Sequence, residues 1–303
     1  MHKMASFCKI CGSGDISIIY NAPIRNGRLG QYTEYAIPMF QCKKCKVIWH
    51  DQIKERKLDE YYESEEYRKI MGEEPSAAEF NAIHDGGVLD KLSYTGTGIF
   101  RDKIVADIGC GAGGFLDFIN GVASEVLAIE PTKAYRDEMS VKSGFSCFAY
   151  MEDAINRGFK GKVDVLTSFD VIEHVEDPYD FLDQAYELLD KSGRAIIGTP
   201  TDAPIMRELL GECYEKQQLF STQHLWILSE HSIYFMAEKI GFSSVEFKYF
   251  QRYPIGNMLG WIRDKKPRSE IIGEVYTGDL DAVWRKELED KKLSDYIVAY
   301  LTK

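Results

Sequence analysis

The stretch Val105-Ala106-Asp107-Ile108-Gly109-Cys110-Gly111-Ala112-Gly113-Gly114 joins a short apolar segment to a cluster of glycines. Residues 104–108 have the composition of a buried strand, and the apolar pattern over residues 115–119 predicts a helix. Glycines at such a turn let the backbone approach a ligand closely because no Cβ stands in the way. The N-terminus of the following helix presents free N–H groups. The stretch therefore predicts a strand–turn–helix that binds a nucleoside cofactor.

A second apolar segment with a carboxylate at its end, Val126-Leu127-Ala128-Ile129-Glu130, follows that helix. A carboxylate at this place is suited to binding the two hydroxyls of a ribose. The glycine spacing alone does not name the cofactor. The GxGxxG pattern of dinucleotide-binding enzymes fits Gly109, Gly111 and Gly114. The GxGxG pattern of S-adenosylmethionine enzymes fits the first two of these together with Gly113.

The chain has 303 residues, of which 45% are hydrophobic and 28% are charged, as is ordinary for a globular protein. This length predicts one large domain with an accessory one, or two domains. No apolar run approaches the roughly eighteen residues of a transmembrane helix. The start Met1-His2-Lys3-Met4 has no apolar segment typical of a secretory signal. We therefore expect no membrane span and a cytoplasmic location.

The formal charge of −11 is unevenly distributed along the chain. Residues 1–50 contain seven Lys or Arg against two acidic residues, a balance of +5, so the remainder carries −16. An acidic main body argues against non-specific nucleic-acid binding, which needs phosphate neutralisation over a wide surface. The basic segment is suited to a phosphorylated or nucleotide-linked small molecule, or it only forms a solvated surface.

Four of the seven cysteines form two CxxC pairs, Cys8-Lys9-Ile10-Cys11 and Cys42-Lys43-Lys44-Cys45. Two such pairs can close a tetrahedral zinc site with four thiolate ligands, which leaves no open position for catalysis. Disulfides are the alternative for a secreted protein, and redox CxxC motifs normally occur singly at a strand-to-helix turn. The pattern therefore predicts a structural zinc ion with four ligands: Cys8, Cys11, Cys42 and Cys45.

Short apolar segments at residues 16–20, 36–41 and 47–49 lie between and after the two cysteine pairs. Their composition predicts short strands. A module this small could hardly form a hydrophobic core of its own, so the metal would hold it together. We interpret residues 1–50 as a zinc-ribbon module.

Residues 51–96 change character, because Glu, Lys and Tyr dominate and no strand pattern is present. They predict a helical connecting segment. Tyr61, Tyr62 and Tyr67 in it either pack as core aromatics or line a ligand-binding mouth. The remaining residues, 97–303, form the predicted main domain.

Within the main domain, strand and helix patterns alternate. The predicted strands are 104–108, 126–129, 145–149, 163–169 and 194–198, followed by 244–250 and 296–301 near the C-terminus. The run Asp190-Lys191-Ser192-Gly193 predicts a turn before the fifth of these strands. Alternation of this kind predicts an α/β fold with a parallel sheet and helices on both faces.

At this point the sequence resembles the class I S-adenosylmethionine-dependent methyltransferases over about residues 100–250. The motifs are Asp107-Ile108-Gly109-Cys110-Gly111-Ala112-Gly113 with Glu130-Pro131, Phe169-Asp170-Val171-Ile172-Glu173-His174-Val175-Glu176-Asp177-Pro178, and His224-Leu225-Trp226-Ile227-Leu228-Ser229 with the helix leading to Lys239-Ile240-Gly241-Phe242. The second motif is far more distinctive than the glycines. The resemblance implies a Rossmann-like sheet of seven strands with an antiparallel last strand.

The resemblance also implies roles for individual residues. Gly109, Gly111 and Gly113 would cradle the methionine portion of S-adenosylmethionine, and Glu130 would bind its ribose. The other implied pocket residues are Met151 and Glu152, which border the adenine, and Phe169 and Asp170, which close the pocket.

The charge of Asp107 favours the same cofactor on physical grounds. A carboxylate just before the glycine turn attracts the ammonium end of S-adenosylmethionine, whereas it would repel the pyrophosphate of a dinucleotide. S-adenosylmethionine is therefore preferred to a nicotinamide cofactor.

Methyl transfer needs alignment and deprotonation of the acceptor, so a base is expected near the acceptor. His174 and His224 are the candidates. His174 alternatively braces the pocket. With Asp170 and Glu173 it also resembles a set that binds a divalent ion in some quinone-pathway O-methyltransferases, although such groups on one turn commonly cap helices. His224 is preferred because the loop after the fifth strand faces the pocket in α/β folds.

The double-CxxC module fused to this methyltransferase pattern is similar to methyltransferases of nucleotide-linked deoxysugars. The C-methylating members carry a further C-terminal domain, and this chain ends at the predicted seventh strand. We therefore expect O-methylation of a sugar or a small phosphorylated or nucleotide-linked metabolite, as in surface polysaccharide assembly. The alternatives are C-methylation of a nucleotide-linked keto-deoxysugar, RNA methylation, and binding of the cofactor without catalysis.

Overall fold

A computed structural model describes residues 6–51, 76–141, 144–267 and 278–303 of the chain. Of the predicted connecting segment, the described part contains one helix, Ala77–Thr95. The predicted aromatic group of Tyr61, Tyr62 and Tyr67 lies outside the described residues.

Except for the short strand at Trp226–Ile227, which was not predicted, the strands follow the predicted positions closely. They are β1 (Ile16–Ala22), β2 (Ile37–Cys42), β3 (Ile48–Trp49), β4 (Ile104–Ile108), β5 (Glu125–Ile129), β6 (Phe145–Phe148), β7 (Val163–Phe169), β8 (Leu189–Pro200), β9 (Trp226–Ile227), β10 (Ser244–Phe250) and β11 (Tyr296–Thr302).

The helices alternate with the strands in the middle of the chain. They are α1 (Ala77–Thr95), α2 (Gly114–Ile119), α3 (Lys133–Ser140), α4 (Met151–Ala154), α5 (Pro178–Leu188), α6 (Pro204–Leu210), α7 (Glu212–Tyr214), α8 (Glu230–Ile240), α9 (Ile255–Asp264) and α10 (Gly278–Asp290), with short 3-10 or π turns at Gly98–Phe100, Ile155–Phe159 and Glu215–Leu219. No described helix combines the length and the apolar character that crossing a membrane requires.

Seven strands form one sheet in the order β10-β11-β8-β7-β4-β5-β6. The pairs β4–β5, β4–β7, β5–β6 and β7–β8 are parallel. The last strand, β11, runs in the opposite direction. Thr201 N donates to Asp295 O and Lys303 N donates to Gly193 O, both at 3.0 Å, so the partner number falls as the chain number rises. The predicted α/β fold, with seven strands and an antiparallel last strand, is confirmed.

One predicted strand start is wrong. The sequence predicts the strand from residue 194, whereas β8 begins at Leu189, before the predicted turn at Asp190–Gly193. Val163 pairs with Leu189 and Val165 pairs with Arg194, so four residues of β8 lie opposite one residue of β7. Ser192 N donates to Asp190 Oδ1 at 2.8 Å, and a Cβ on Gly193 would lie 3.1 Å from Asp190 N, so the chain still turns locally where the sequence predicts it.

A second sheet contains the three strands of the cysteine module. Its order is β1-β2-β3-β9, and all three pairs are antiparallel. The fourth strand comes from the segment after β8, with Trp226 opposite Trp49 and Ile227 opposite Ile48. The predicted small module therefore has a strand that is distant in the sequence.

The described residues form two compact units. The first unit contains those within 1–54, 199–235 and 247–298, and the second contains those within 55–198, 236–246 and 299–303. Each unit has its own apolar core. Ile24 and Ile37 are fully buried in the first, and Leu116 and Leu127 are fully buried in the second.

Candidate functional site

The glycine turn after β4 has a backbone that only glycine adopts comfortably. Gly109 and Gly111 have φ angles of 69° and 58°. A Cβ on Gly109 would lie 2.3 Å from Val171 Cγ2, and one on Gly111 would lie 2.8 Å from Phe80 Cε1. Gly113, with φ of 80°, is the N-cap of α2. The structure therefore brings the three predicted glycines together at the start of this helix, with no room for side chains at the first two.

Glu130, at the end of β5, holds the turn through its carboxylate. Its Oε2 accepts from Gly111 N at 2.9 Å, and its Oε1 accepts from Thr132 N at 2.9 Å. The side chain is 3% exposed. Each carboxylate oxygen has two acceptor sites, so the group can serve the turn and still accept a ligand hydroxyl.

Asp107, at the penultimate position of β4, is a buried carboxylate. Thr167 Oγ1 donates to its Oδ1 at 2.7 Å. Burial raises the pKa of Asp107 to about 6, against the opposing effects of Lys91 and of the Thr167 hydrogen bond. Burial therefore disfavours the charged form, and a cationic ligand beside the carboxylate would stabilise that form.

The other residues implied by the family resemblance lie at the ends of neighbouring elements of the same unit. Met151 is buried at the start of α4, and Glu152 beside it is exposed. Phe169 ends β7 and is 5% exposed. Asp170 follows with φ of 58°, and its N–H donates to Gly198 O at 3.0 Å. A non-glycine residue in this conformation is uncommon and often marks a ligand site.

Helix α1 contributes residues that the sequence analysis missed. The Phe80 ring lies against Gly111, and Asn81 Nδ2 donates to Ala112 O at 3.3 Å. Lys91 Nζ lies 5.6 Å from the centre of the Phe169 ring and lowers the pKa of Asp107. No pattern distinguishes these residues from other helix positions, because α1 precedes the motif and carries none of its own.

The loop after β7 carries Glu173 and His174. Glu173 is 1% exposed, and its Oε1 lies 4.0 Å from His174 Nε2. The backbone N–H of His174 donates to Val171 O at 2.8 Å. Asp177 caps α5, because its Oδ1 accepts from Tyr179 N at 2.8 Å. The last acidic residue of the motif thus has a structural role.

His224 lies in the first unit, on a turn before β9, and is half-buried. Its N–H donates to Ser221 Oγ at 3.1 Å. Arg25 runs beside the same turn: its N–H donates to Phe220 O at 3.1 Å, and its carbonyl accepts from Thr222 N at 2.9 Å. Arg25 is 7% exposed, and its Nη1 donates to Gly27 O at 2.7 Å.

The four cysteines of the two CxxC pairs form one cluster in the first unit. The Sγ atoms of Cys8 and Cys45 are 3.5 Å apart, as are those of Cys11 and Cys42, and all four lie within 4.8 Å of one another. These separations exclude disulfides, whose sulfurs are about 2.0 Å apart. Tetrahedral zinc with bonds of about 2.3 Å places its sulfurs about 3.8 Å apart, so the cluster fits zinc.

The two CxxC pairs have matching turns. In the first, Gly12 has φ of 69° and its N–H donates to Cys8 O at 2.9 Å. In the second, Lys46 has φ of 62° and its N–H donates to Cys42 O at 2.9 Å. A positive φ at a lysine is uncommon, and here it repeats the geometry that the glycine adopts in the first turn.

Comparison with known proteins agrees with this geometry. A family model described as "Methyltransferase domain" matches residues 80–246, which is more than half of the chain. The "Ubiquinone biosynthesis O-methyltransferase" of Cupriavidus pinatubonensis is 31% identical over 128 residues, 40% of this chain. That match spans about half of the relative, 51% of its length.

Among solved structures, the complex of the Haloferax volcanii Trm112 methyltransferase activator with a methyltransferase has a TM-score of 0.53. The matched chain of that structure is 12% identical in sequence to this chain. The match covers 81% of this chain and 97% of the matched chain. At that identity the likeness concerns the fold alone.

Proposed function

Because the chain belongs to the methyltransferase-domain family and is an S-adenosylmethionine-dependent methyltransferase, we propose that it O-methylates a small acceptor: a sugar or a related metabolite that is phosphorylated or nucleotide-linked. Surface polysaccharide assembly is a setting that uses such acceptors. The proposal concerns the acceptor, the catalytic base and the metal.

The observation that carries the proposal is the union of the basic cysteine module with the segment of His224. Strand β3 of the module pairs with β9, which begins two residues after His224. Arg25 of the module is hydrogen bonded to both sides of the same turn. The Lys, Arg, Asp and Glu residues of the module give a balance of +5, which becomes +3 with four thiolates and one zinc ion, and this positive charge suits an anionic acceptor.

We also propose that Cys8, Cys11, Cys42 and Cys45 hold a zinc ion. All four ligand positions would be filled by thiolates, so the metal would hold the two CxxC turns together and take no part in the reaction. Apolar side chains of the module, such as Ile37, share their core with Phe220 and Trp261 from distant segments. The module alone would therefore depend on the ion for its fold.

On the cofactor side, the residues of the second unit bind and orient. Asp107 would receive the ammonium group, Lys91 the carboxylate and Glu130 the ribose hydroxyls. The adenine would lie by Met151 and Glu152, with Phe169 and Asp170 closing the pocket. Bound S-adenosylmethionine supplies a methyl group that is already activated for displacement by its sulfonium.

On the acceptor side, His224 would remove the proton of the acceptor hydroxyl as the oxygen attacks the methyl carbon. The hydrogen bond from the backbone N–H of His224 to Ser221 Oγ fixes the backbone from which the imidazole projects. Arg25 would add positive charge near the acceptor. His174 would brace the loop after β7 through Glu173. Methyl transfer gains most from such alignment, because little other chemistry is asked of the protein.

The test is transfer of a labelled methyl group to a panel of nucleotide-linked sugars, sugar phosphates and free sugars, with product mass analysis. We expect transfer to at least one phosphorylated or nucleotide-linked sugar, and loss of that transfer in His224→Gln with the affinity for S-adenosylhomocysteine unchanged. RNA and a nucleotide-linked keto-deoxysugar in the same panel test for RNA methylation and C-methylation. Transfer to RNA alone would refute the proposal.

A second candidate is O-methylation of a ubiquinone precursor. It is favoured by the 31% identity over 128 residues to an enzyme named for that step. A demethylated precursor belongs in the same panel, and turnover with it and with no sugar would select this candidate.

A further inference from the structure

We propose that His50 is a positioning residue that holds the turn of residues 221–224, and with it the imidazole of His224, in place. The inference deepens the proposed function and rests on it for the role of His224. It concerns a histidine that no sequence motif marks and that lies outside the cofactor-binding residues.

His50 is built into the interior of the first unit directly after β3. It is 0% exposed, and its Nε2 lies 3.2 Å from the carbonyl oxygen of Ser221. The ring also interacts with the backbone of His224, and both contacts act on its pKa. Burial nevertheless lowers the pKa of His50 to about 4, so the ring is neutral. A neutral imidazole with its N–H toward a buried carbonyl is a fixed donor.

Ser221 links His50 to the candidate base. It is fully buried, its carbonyl faces His50, and its hydroxyl oxygen accepts from His224 N at 3.1 Å. Loss of the His50 ring would leave the Ser221 carbonyl buried without its ring donor and open a void beside it. An unsatisfied buried carbonyl is costly, so a turn geometry that gives it another partner would be favoured.

The module holds the same segment on both sides of His224. Thr222 Oγ1 donates to Asn26 Oδ1 at 2.8 Å before the base, and Ser229 Oγ donates to Cys45 O at 2.6 Å after it. Cys45 is one of the proposed zinc ligands. The cysteine cluster, β3 and His50 thus form a continuous support that ends at the turn of His224.

The test uses full-length protein labelled with ¹³C in its histidines, in which the resonance of His224 is identified by its loss in His224→Gln. In His50→Ala we expect that resonance to shift or broaden, and in His50→Gln to return toward its original position, because the glutamine amide still reaches Ser221. Exposed His231 supplies the control, since His231→Ala should leave the His224 resonance in place.

The kinetic arm separates positioning from general damage. With the best acceptor of the panel, His50→Ala should lower kcat at least tenfold, while the dissociation constant of S-adenosylhomocysteine stays within twofold. His50→Gln should recover most of kcat. If His50→Ala does not fold, His50→Asn replaces it, because its shorter amide stops short of Ser221.

An unchanged His224 resonance in a folded His50→Ala protein would overturn the inference, whatever the acceptor proves to be. A shifted resonance together with unchanged kcat would leave the positioning role intact and refute His224 as the base. The spectroscopic and kinetic arms thus distinguish failure of this inference from failure of the proposed function.

Discussion

The glycine turn and the turn of His224 are held in contrasting ways. Around the glycine turn, Glu130 reaches Gly111 across 19 residues of chain, and Thr167 reaches Asp107 across 60. Around the turn of His224, His50 reaches Ser221 across 171 residues, and Cys45 reaches Ser229 across 184. The glycine turn is supported by neighbouring elements of one α/β unit. The turn of His224 is supported by residues of the cysteine module, which lie far from it in the sequence.

This difference predicts which function, cofactor binding or methylation of the acceptor, is lost when the contacts that hold one of the two turns are removed. A fault in the cysteine module should leave the glycine turn intact, because the bonds described for that turn come from α1, β5 and β7. A fault at the glycine turn should likewise spare the module. Binding of the cofactor and methylation of the acceptor should therefore be separable by substitution, and four experiments test this from the largest expected effect to the smallest.

Loss of the metal should have the largest effect. Cys42→Ser, or chelation in reducing buffer, should remove zinc, lower the free energy of unfolding of the module by several kcal/mol and abolish methyl transfer. Binding of S-adenosylhomocysteine should persist. Metal analysis measures the zinc content, and calorimetry measures the free energy of unfolding. Cys147→Ser, which replaces a half-buried thiol in β6, is the control. Absence of zinc in a reduced protein, with Cys42→Ser folding normally, would refute the metal proposal.

Asp107→Asn should impair binding of the cofactor at the glycine turn. Removing the carboxylate should weaken S-adenosylhomocysteine binding by about 2–3 kcal/mol, because a charged hydrogen bond to its ammonium is lost. At pH 8 the ligand-free protein should become more stable, since burial holds the pKa of Asp107 at about 6 and disfavours the charged form in the fold. Asp137→Asn, at an exposed ion pair of α3, should change neither quantity.

The pH dependence of stability should include a contribution from the protonation of His50 on unfolding. Its pKa is about 4 in the fold and about 6.5 when unfolded, so the unfolded state binds more protons as pH falls through this window. The protein should therefore lose about 1 kcal/mol of unfolding free energy between pH 7 and 5.5 through this group. Asp51 and Lys9 also act on His50, in opposite directions. Urea unfolding of His50→Gln should lack this component, and an equal slope in both proteins would contradict it.

Lys91→Met should have the smallest effect. We expect the affinity for S-adenosylhomocysteine to fall by about 0.5 kcal/mol, because a partly exposed cation contributes little to binding a carboxylate. The loss should shrink as salt is added, since screening weakens the same interaction in the parent protein. Titration at two ionic strengths measures it. A loss that does not depend on salt would mean that Lys91 acts through packing.

The sequence separation between contacting residues also determined which contacts could be predicted from the sequence. The strands from β4 to β8 follow from local patterns. The antiparallel last strand was implied only by the resemblance to the methyltransferase family. The meeting of Glu130 with the glycine turn follows from a fold whose strand ends meet at one edge. The pairing of Trp226 with Trp49 and the contact of His50 with Ser221 do not, because two-residue strands and buried histidines carry no periodic signal. Lys91 was missed for a related reason: its helix shows no pattern that marks a ligand-binding face.

The pairing of β3 with β9 has a consequence for synthesis of the chain. The module is synthesised before most of the other unit, whereas the strand that covers its edge is synthesised after it. At about 5–20 residues per second, the 184 residues between Cys45 and Ser229 take roughly 10–40 s. During that interval β3, which contains Trp49, presents an open edge, and such edges recruit strands from other chains. Early metal binding would keep the nascent module ordered until its own fourth strand arrives.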